Sequence, residues 1–326
     1  MENLNVVLGS MNKILEKLLP ILTPLAVVMG VVFSTFFVSF EALVPWIFAM
    51  MTFSGALNST FKSLQHAITH PLPILTAIFI LHLVMPAWAW LVGHLTFPGD
   101  SLTTTGFILG AVIPTGITSF IWVAMRSGNT ALALSIILID TLISPFIVPY
   151  SMMFFVGANV EMDMLGIVKG LVYMIVLPSI AGLTLNHFIK DSSRKRSGMW
   201  LSPLTKLGIV MVVMINCSAI APSLKVIDLK LVFIALVVFG IAFSGYIISY
   251  LIARLLRLNE GDIITLMYTG GMRNIGAGVV IAVSFFPATV AVPVVIGMLF
   301  QQMLASVYGY VISLSQKHRG GSSASL

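Results

Sequence analysis

Arg273 lies in the middle of an apolar stretch that runs from Ile263 to Ile281. A guanidinium keeps its proton in a protein, and holding one at the centre of a bilayer costs about 2.5–3.5 kcal/mol on insertion scales, so the position must be useful. Asp140 is the only acid deep inside an apolar run, and His82 stands in another with a side chain that titrates near neutral pH. A buried cation, acid and imidazole could recognise an anion, form a static internal ion pair, or carry a proton. His82 could equally be a satisfied packing residue. Hydrolytic chemistry has no support: H-E-x-x-H, G-x-S-x-G and paired intramembrane aspartates are all missing. No cofactor, metal site or enzyme activity is expected.

The elements that carry these residues are membrane spans. Apolar residues make up 58% of the 326 and charged ones 9%, with mean hydropathy +1.06, where a soluble domain would carry about 25% charge. Division at polar and Pro/Gly interruptions predicts ten spans, near 18–39, 42–60, 71–95, 102–126, 130–156, 163–188, 202–222, 229–256, 260–286 and 288–315. Lys13, Lys17, Lys62, Arg126, Lys190, Arg194, Lys195, Arg196, Arg254, Arg257, Lys317 and Arg319 then fall on one side, against Lys225 and Lys230 on the other. Cytoplasmic loops concentrate such charge, which predicts a multi-pass protein of the inner (plasma) membrane with both termini cytoplasmic. The net charge of +6 thus reflects topology and gives no support to nucleic-acid binding. No cleavable signal is expected, and residues 316–326 read as a flexible tail.

Ten spans divide as five plus five. Residues 1–156 and 157–315 would be two five-helix repeats, and an odd number per repeat forces opposite insertion. Spans four and nine, in corresponding positions, both contain breakers: Ile113-Pro114-Thr115-Gly116-Ile117-Thr118-Ser119 and Thr269-Gly270-Gly271-Met272-Arg273-Asn274. Proline removes an amide and glycine permits non-helical angles, so each helix can open and present the N-terminus of its second half near the bilayer centre. Two such termini favour an anion. Thr115, Ile117, Thr118, Ser119 and Arg273 are therefore candidate substrate residues. The hydroxyls could instead satisfy amides freed by the break.

Further residues resemble a known family. Phe48-Ala49-Met50-Met51-Thr52-Phe53-Ser54-Gly55-Ala56-Leu57, Met85-Pro86, Pro114-Thr115-Gly116, Ser127-Gly128-Asn129, Ser144-Pro145 and Gly271-Met272-Arg273-Asn274 follow one another as in the bile acid:sodium symporter family of organic anion transporters. The resemblance implies an all-α fold of ten helices, with a panel domain of spans 1, 2, 6 and 7 and a core domain of spans 3 to 5 and 8 to 10. It also implies crossed broken helices at the midplane, with Asn274 matching the asparagine that meets the substrate there, and alternating access to a small organic anion such as a carboxylate.

The same resemblance exposes a departure. The family's sodium-ligand positions fall on Thr269, Arg273, Leu81, Ser119, Phe120, Ala133 and Ile137, of which only Ser119 and Thr269 offer a side-chain oxygen, the ligand class that hard cations require. Asp140, following Ala133 and Ile137 at helical spacing, shares their face. The reading is that Arg273 takes the place of a sodium ion, with Asp140 as its partner or as a proton-carrying site. Asp140, Arg273, His82 and Thr269 are thus the candidate coupling residues. The transporter would be H+-coupled or uncoupled; the alternatives are a Na+-coupled symporter with altered ion sites and a non-transporting membrane sensor.

Overall fold

The computed structural model describes residues 2–57, 71–157, 160, 162–189, 191–225 and 228–322, and among them every regular element is helical. Helix α1 (Glu2–Val32) is followed by α2 (Ser34–Phe37), a 3₁₀ turn (Val38–Leu43) and α3 (Val44–Ala56). Helix α4 (Pro71–Phe79) passes through a π turn (Ile80–Val84) into α5 (Met85–Thr96). Next come α6 (Ser101–Val112), α7 (Thr118–Met125) and α8 (Thr130–Val156). Helix α9 (Met164–Leu171) runs through a second π turn (Val172–Val176) into α10 (Leu177–Phe188), ahead of α11 (Asp191–Ala219) and α12 (Ala221–Lys225). The chain finishes with α13 (Leu229–Leu255), α14 (Glu260–Gly271), α15 (Ile275–Phe285) and α16 (Ala288–Ser322).

Seven continuous helical segments among the described residues are long and apolar enough to cross a membrane, including 71–96, 130–156, 229–255 and 288–314. This is a polytopic membrane protein. Helix α6 is too short to cross alone, because it is interrupted from α7; α14 is likewise interrupted from α15. Two helices start well before the apolar runs they carry, α1 at Glu2 and α11 at Asp191, since extending a formed helix costs far less than nucleating one. The end of the expected second span, 58–60, lies outside the described residues, as does Lys62.

Local sequence sets these boundaries. Asp100, Asn129, Asp163, Asp228, Asn259 and Asn274 each cap a helix by accepting a backbone N–H at the third residue on, as short polar side chains do. Both π turns precede an X-Pro pair, Met85-Pro86 and Leu177-Pro178. Proline has no N–H for the carbonyl four residues back, and the amide just before it reaches five residues back instead, Met85 to Ile80 and Leu177 to Val172. Asp100 also meets Lys230 at 2.8 Å. Partial burial opposes its charge, but Lys230 and the Thr103 donors outweigh that and hold its carboxyl below the ordinary value. The small contribution of this exposed pair therefore fades only as pH falls into the acid range.

The packing places α1 along α11, with α3 against α10 and α11. On the other side α6 packs on α5 and α16, α13 on α14 and α16, and α15 on α16. Large apolar residues such as Phe146, Phe154, Tyr173, Phe188, Leu236 and Leu255 point outward, as lipid-facing surfaces require. The α1–α11 seam is tight: a Cβ at Gly30 would lie 2.3 Å from the Met214 carbonyl oxygen, whereas one at Gly240 would meet nothing within 4 Å. Gly30→Ala is expected to cost about 1–3 kcal/mol by overpacking. Thermal unfolding of purified protein should show a lowered midpoint for Gly30→Ala and little change for Gly240→Ala.

Candidate ion and substrate site at a helix crossing

Helices α6 and α14 both stop short, and the extended segments that follow them pass over each other. Gly116 lies against the Arg273 backbone so closely that a Cβ there would sit 3.0 Å from the Arg273 carbonyl oxygen. The Asn274 amide donates to the Pro114 carbonyl at 2.8 Å, tying one break to the other. The Thr115 hydroxyl is placed to donate to the Thr269 carbonyl at 2.9 Å and to that of Met272 at 3.0 Å. Beyond the breaks, α15 is capped by the Asn274 side chain, whereas α7 starts at Ile117 without a side-chain cap.

Asp140 is fully buried on α8 behind this crossing. One carboxylate oxygen accepts the Thr115 N–H at 2.6 Å, and the other lies 2.6 Å from His82 Nε2. The π turn holds His82 there, and its Nδ1 is buried without a partner. Asp140 therefore pairs with the histidine and the broken backbone and not with the arginine, against the expectation of a direct Asp140–Arg273 pair. Carbonyl oxygens of Ala111, Gly270 and Met272 hold the Nε and Nη1 of the guanidinium instead.

Arg273 is 6% exposed. Its Nε donates to the Ala111 carbonyl at 2.9 Å, and Nη1 to those of Gly270 at 2.8 Å and Met272 at 3.2 Å. Ala111 and Gly270 end α6 and α14, where carbonyls lack intrahelical partners and the helix dipole is negative. The guanidinium thus sits at two helix C-termini. The Arg273 backbone N–H donates to Gln301 Oε1 at 2.8 Å.

A cavity of about 630 Å³ opens between α3, α10 and α11 on one side and α7, α8, α15 and α16 on the other. Thr115, Ile117, Thr118, Arg273 and Asn274 line it, with Arg273 the only charged residue in its wall among the described residues. Ser119 does not: it is buried, and its hydroxyl donates to the Gly116 carbonyl at 2.8 Å. Thr269 is likewise buried and returns its hydroxyl to Thr265 of its own helix at 2.9 Å. Asp140 and His82 lie behind the wall, with Thr141 and Thr115 as the adjacent lining residues.

Gln301 and Gln302 also line the cavity, and the candidate list drawn from the sequence passes over both. Gln302 Oε1 accepts the Trp122 indole N–H at 3.1 Å, so α16 grips α7 as well as the α14–α15 break. The signal was available: two adjacent carboxamides in an otherwise apolar run from Ala288 to Leu314 need partners. At the start of α14, Asn129, the cap of α8, donates its side-chain amide to Asp262 Oδ1 at 2.8 Å and its backbone N–H to the Gly261 carbonyl at 3.1 Å, tying the start of α8 to that of α14.

Comparison with known proteins gives a consistent result. Residues 44–225 match the Sodium Bile acid symporter family. An uncharacterized protein of Bacillus subtilis (strain 168), YbaS, is 52% identical over 280 residues, covering 86% of this chain and 92% of its own. An uncharacterized sodium-dependent transporter of the same organism, YocS, is 25% identical over 88% of this chain and 90% of its own length. A probable chloroplastic sodium/metabolite cotransporter of Arabidopsis thaliana, BASS1, is 26% identical over 77% of this chain and 62% of its own.

The Thr115 hydroxyl offers a test of the crossing. Thr115→Val keeps the shape and leaves the Thr269 and Met272 carbonyls without that donor, at a cost of about 1–3 kcal/mol. Thermal unfolding should show a clear drop for Thr115→Val and near-normal behaviour for Thr115→Ser, which retains the hydroxyl.

Proposed function

This chain belongs to the sodium bile acid symporter family, is a transporter embedded in a membrane and, we propose, carries a small organic anion such as a carboxylate by alternating access. The observation that carries the reading is the pair of matched breaks at the wall of the large cavity, where the α7 and α15 N-termini supply anion-favouring amides and Arg273 a positive charge. In this reading α6/α7 and α14/α15 each count as one crossing, which gives ten spans in two inverted repeats. Helices α1, α3, α9–α10 and α11 form the panel, and the remainder forms the core that moves against it. Placement in the inner membrane with cytoplasmic termini follows from the Lys/Arg bias.

Thr115, Thr118 and Asn274 would meet the substrate, together with Gln301 and Gln302, whose carboxamide oxygens are engaged and whose NH₂ groups remain as donors. Ile117 contributes apolar surface, being 40% exposed at the cavity.

For coupling, the proposal is a proton at the His82–Asp140 pair. A carboxylate accepts the Thr115 N–H more strongly than a carboxylic acid does, and the Thr115 hydroxyl holds the α14 break. Gain or loss of a proton at the pair would therefore be felt at the crossing. Arg273 is the other charged group of this neighbourhood, and in this reading its guanidinium supplies the charge that relatives named as sodium-dependent draw from an ion.

In proteoliposomes with an imposed pH gradient, uptake of the carboxylate that most stabilises the purified protein should fall to the level of empty vesicles in Asp140→Asn, while the protein still unfolds cooperatively. An unaltered proton dependence in that variant would refute the coupling. Replacing sodium by potassium should change neither uptake nor the thermal midpoint; strong stabilisation by sodium would restore sodium coupling. A sensor that does not transport would bind the carboxylate and show no uptake at any pH.

A further inference from the structure

Among the described residues the wall of the large cavity carries one charge, and the layer behind that wall carries the opposite one. Arg273 is the cation, and Asp140, bound to the Thr115 amide, is the acid whose field it feels. The two are not in contact: carbonyls hold the guanidinium, while His82 and Thr115 hold the carboxylate. Their charges still add, because groups this deep are screened far less than groups in water.

Other ionisable groups stand outside this balance. Helix α8 packs against α4 to α7, α9, α14 and both π turns. Of these, α4, α6 and α7 contain no ionisable side chain, and the first π turn contributes His82 itself. His94, Lys169, Tyr173 and Glu260 are exposed. Asp262 is held by Asn129 and Asn259 at the far end of α14, and Tyr268 is a phenol whose hydroxyl donates to the Ala305 carbonyl at 3.4 Å.

An imidazole and a carboxylate that share a hydrogen bond carry one negative charge together while the imidazole is neutral. A further proton cancels that charge, whichever partner holds it. Without the proton, the pair offsets Arg273 and the neighbourhood is neutral. With it, Arg273 is left uncompensated beside the cavity, a state that a buried region opposes. A monoanion in the cavity removes the excess, whereas a dianion would overshoot by one charge.

We propose that proton and substrate travel together, one proton at the His82–Asp140 pair for each organic monoanion at Arg273, so that the cycle moves no net charge. The inference rests on the coupling reading given above and adds to it a stoichiometry and an electrical sign. The proton is bound at the pair and given up again there, and no bond of the substrate changes. Proton site and anion need no contact: each favours the other by restoring neutrality, and the effect is reciprocal.

The test uses purified protein in sodium-free buffers with benzoate, propionate and lactate as probes, the tightest binder being carried forward. Titration calorimetry in buffers of different ionisation enthalpy counts protons taken up on binding, at pH values from about 5 to about 8, where imidazoles change charge. Within this range uptake should reach one proton per anion, and affinity should fall about tenfold per pH unit as pH rises. In Asp140→Asn, whose amide mimics the loaded pair, binding should persist without proton uptake. Uptake that survives in this variant would mean that the carboxylate brings its own proton as the free acid, and would overturn the proposal. Should Asp140→Asn not fold, His82→Gln serves: it should move the pH profile of proton uptake, and an unmoved profile overturns the proposal. In proteoliposomes a potassium diffusion potential of either sign should leave pH-driven accumulation unchanged, and a response to potential would refute electroneutrality. Binding without proton uptake would overturn this inference alone. Binding of none of the three probes would take the organic anion reading down with it.

Discussion

Interrupting a helix inside a membrane frees backbone amides and carbonyls that lipid cannot satisfy, and the centre of this protein is organised by that constraint. The two breaks solve it largely by satisfying each other. Asn274 donates to Pro114, and Thr115 reaches two carbonyls of the opposite break. What they cannot supply is brought in from neighbouring helices: an acceptor from Asp140 for the Thr115 amide, and another from Gln301 for the Arg273 amide. Remove the crossing and each of these buried polar groups becomes a liability.

Charge obeys the same logic. A buried arginine is usually explained by an acidic partner, and Asp140 is the only deep acid on offer. Yet that carboxylate is committed to His82 and Thr115, and the guanidinium is solvated by carbonyl dipoles at the ends of α6 and α14. Asp140 and Arg273 remain electrostatic neighbours joined through Thr115, which contacts the carboxylate by its amide and the Met272 carbonyl by its hydroxyl. Coupling through one residue is looser than an ion pair, and it runs through the backbone that defines the break.

Much of this was legible in the sequence because the relevant signals are local. Proline and glycine clusters marked both interruptions, and apolar runs marked the membrane segments. The partners of the charges were not legible. Pairing of His82 with Asp140 depends on a π turn that rotates the histidine, and that turn arises from Pro86 downstream in a way that 3.6-residue periodicity does not register. The choice of carbonyls over carboxylate for Arg273 depends on where two helices terminate in space. Gln301 and Gln302 were visible as a polar pair, but their role became readable only once α16 was seen to touch both broken helices.

The carbonyl cage around Arg273 has an effect that concerns concentration. A free cation occupies such oxygens only as far as its activity and affinity allow, so its site empties when the surroundings are dilute. A guanidinium on the chain is present at those oxygens at an effective concentration set by a few covalent bonds. Its occupancy is indifferent to the salt on either side of the membrane. The two halves of the crossing are held together by a charge that never leaves.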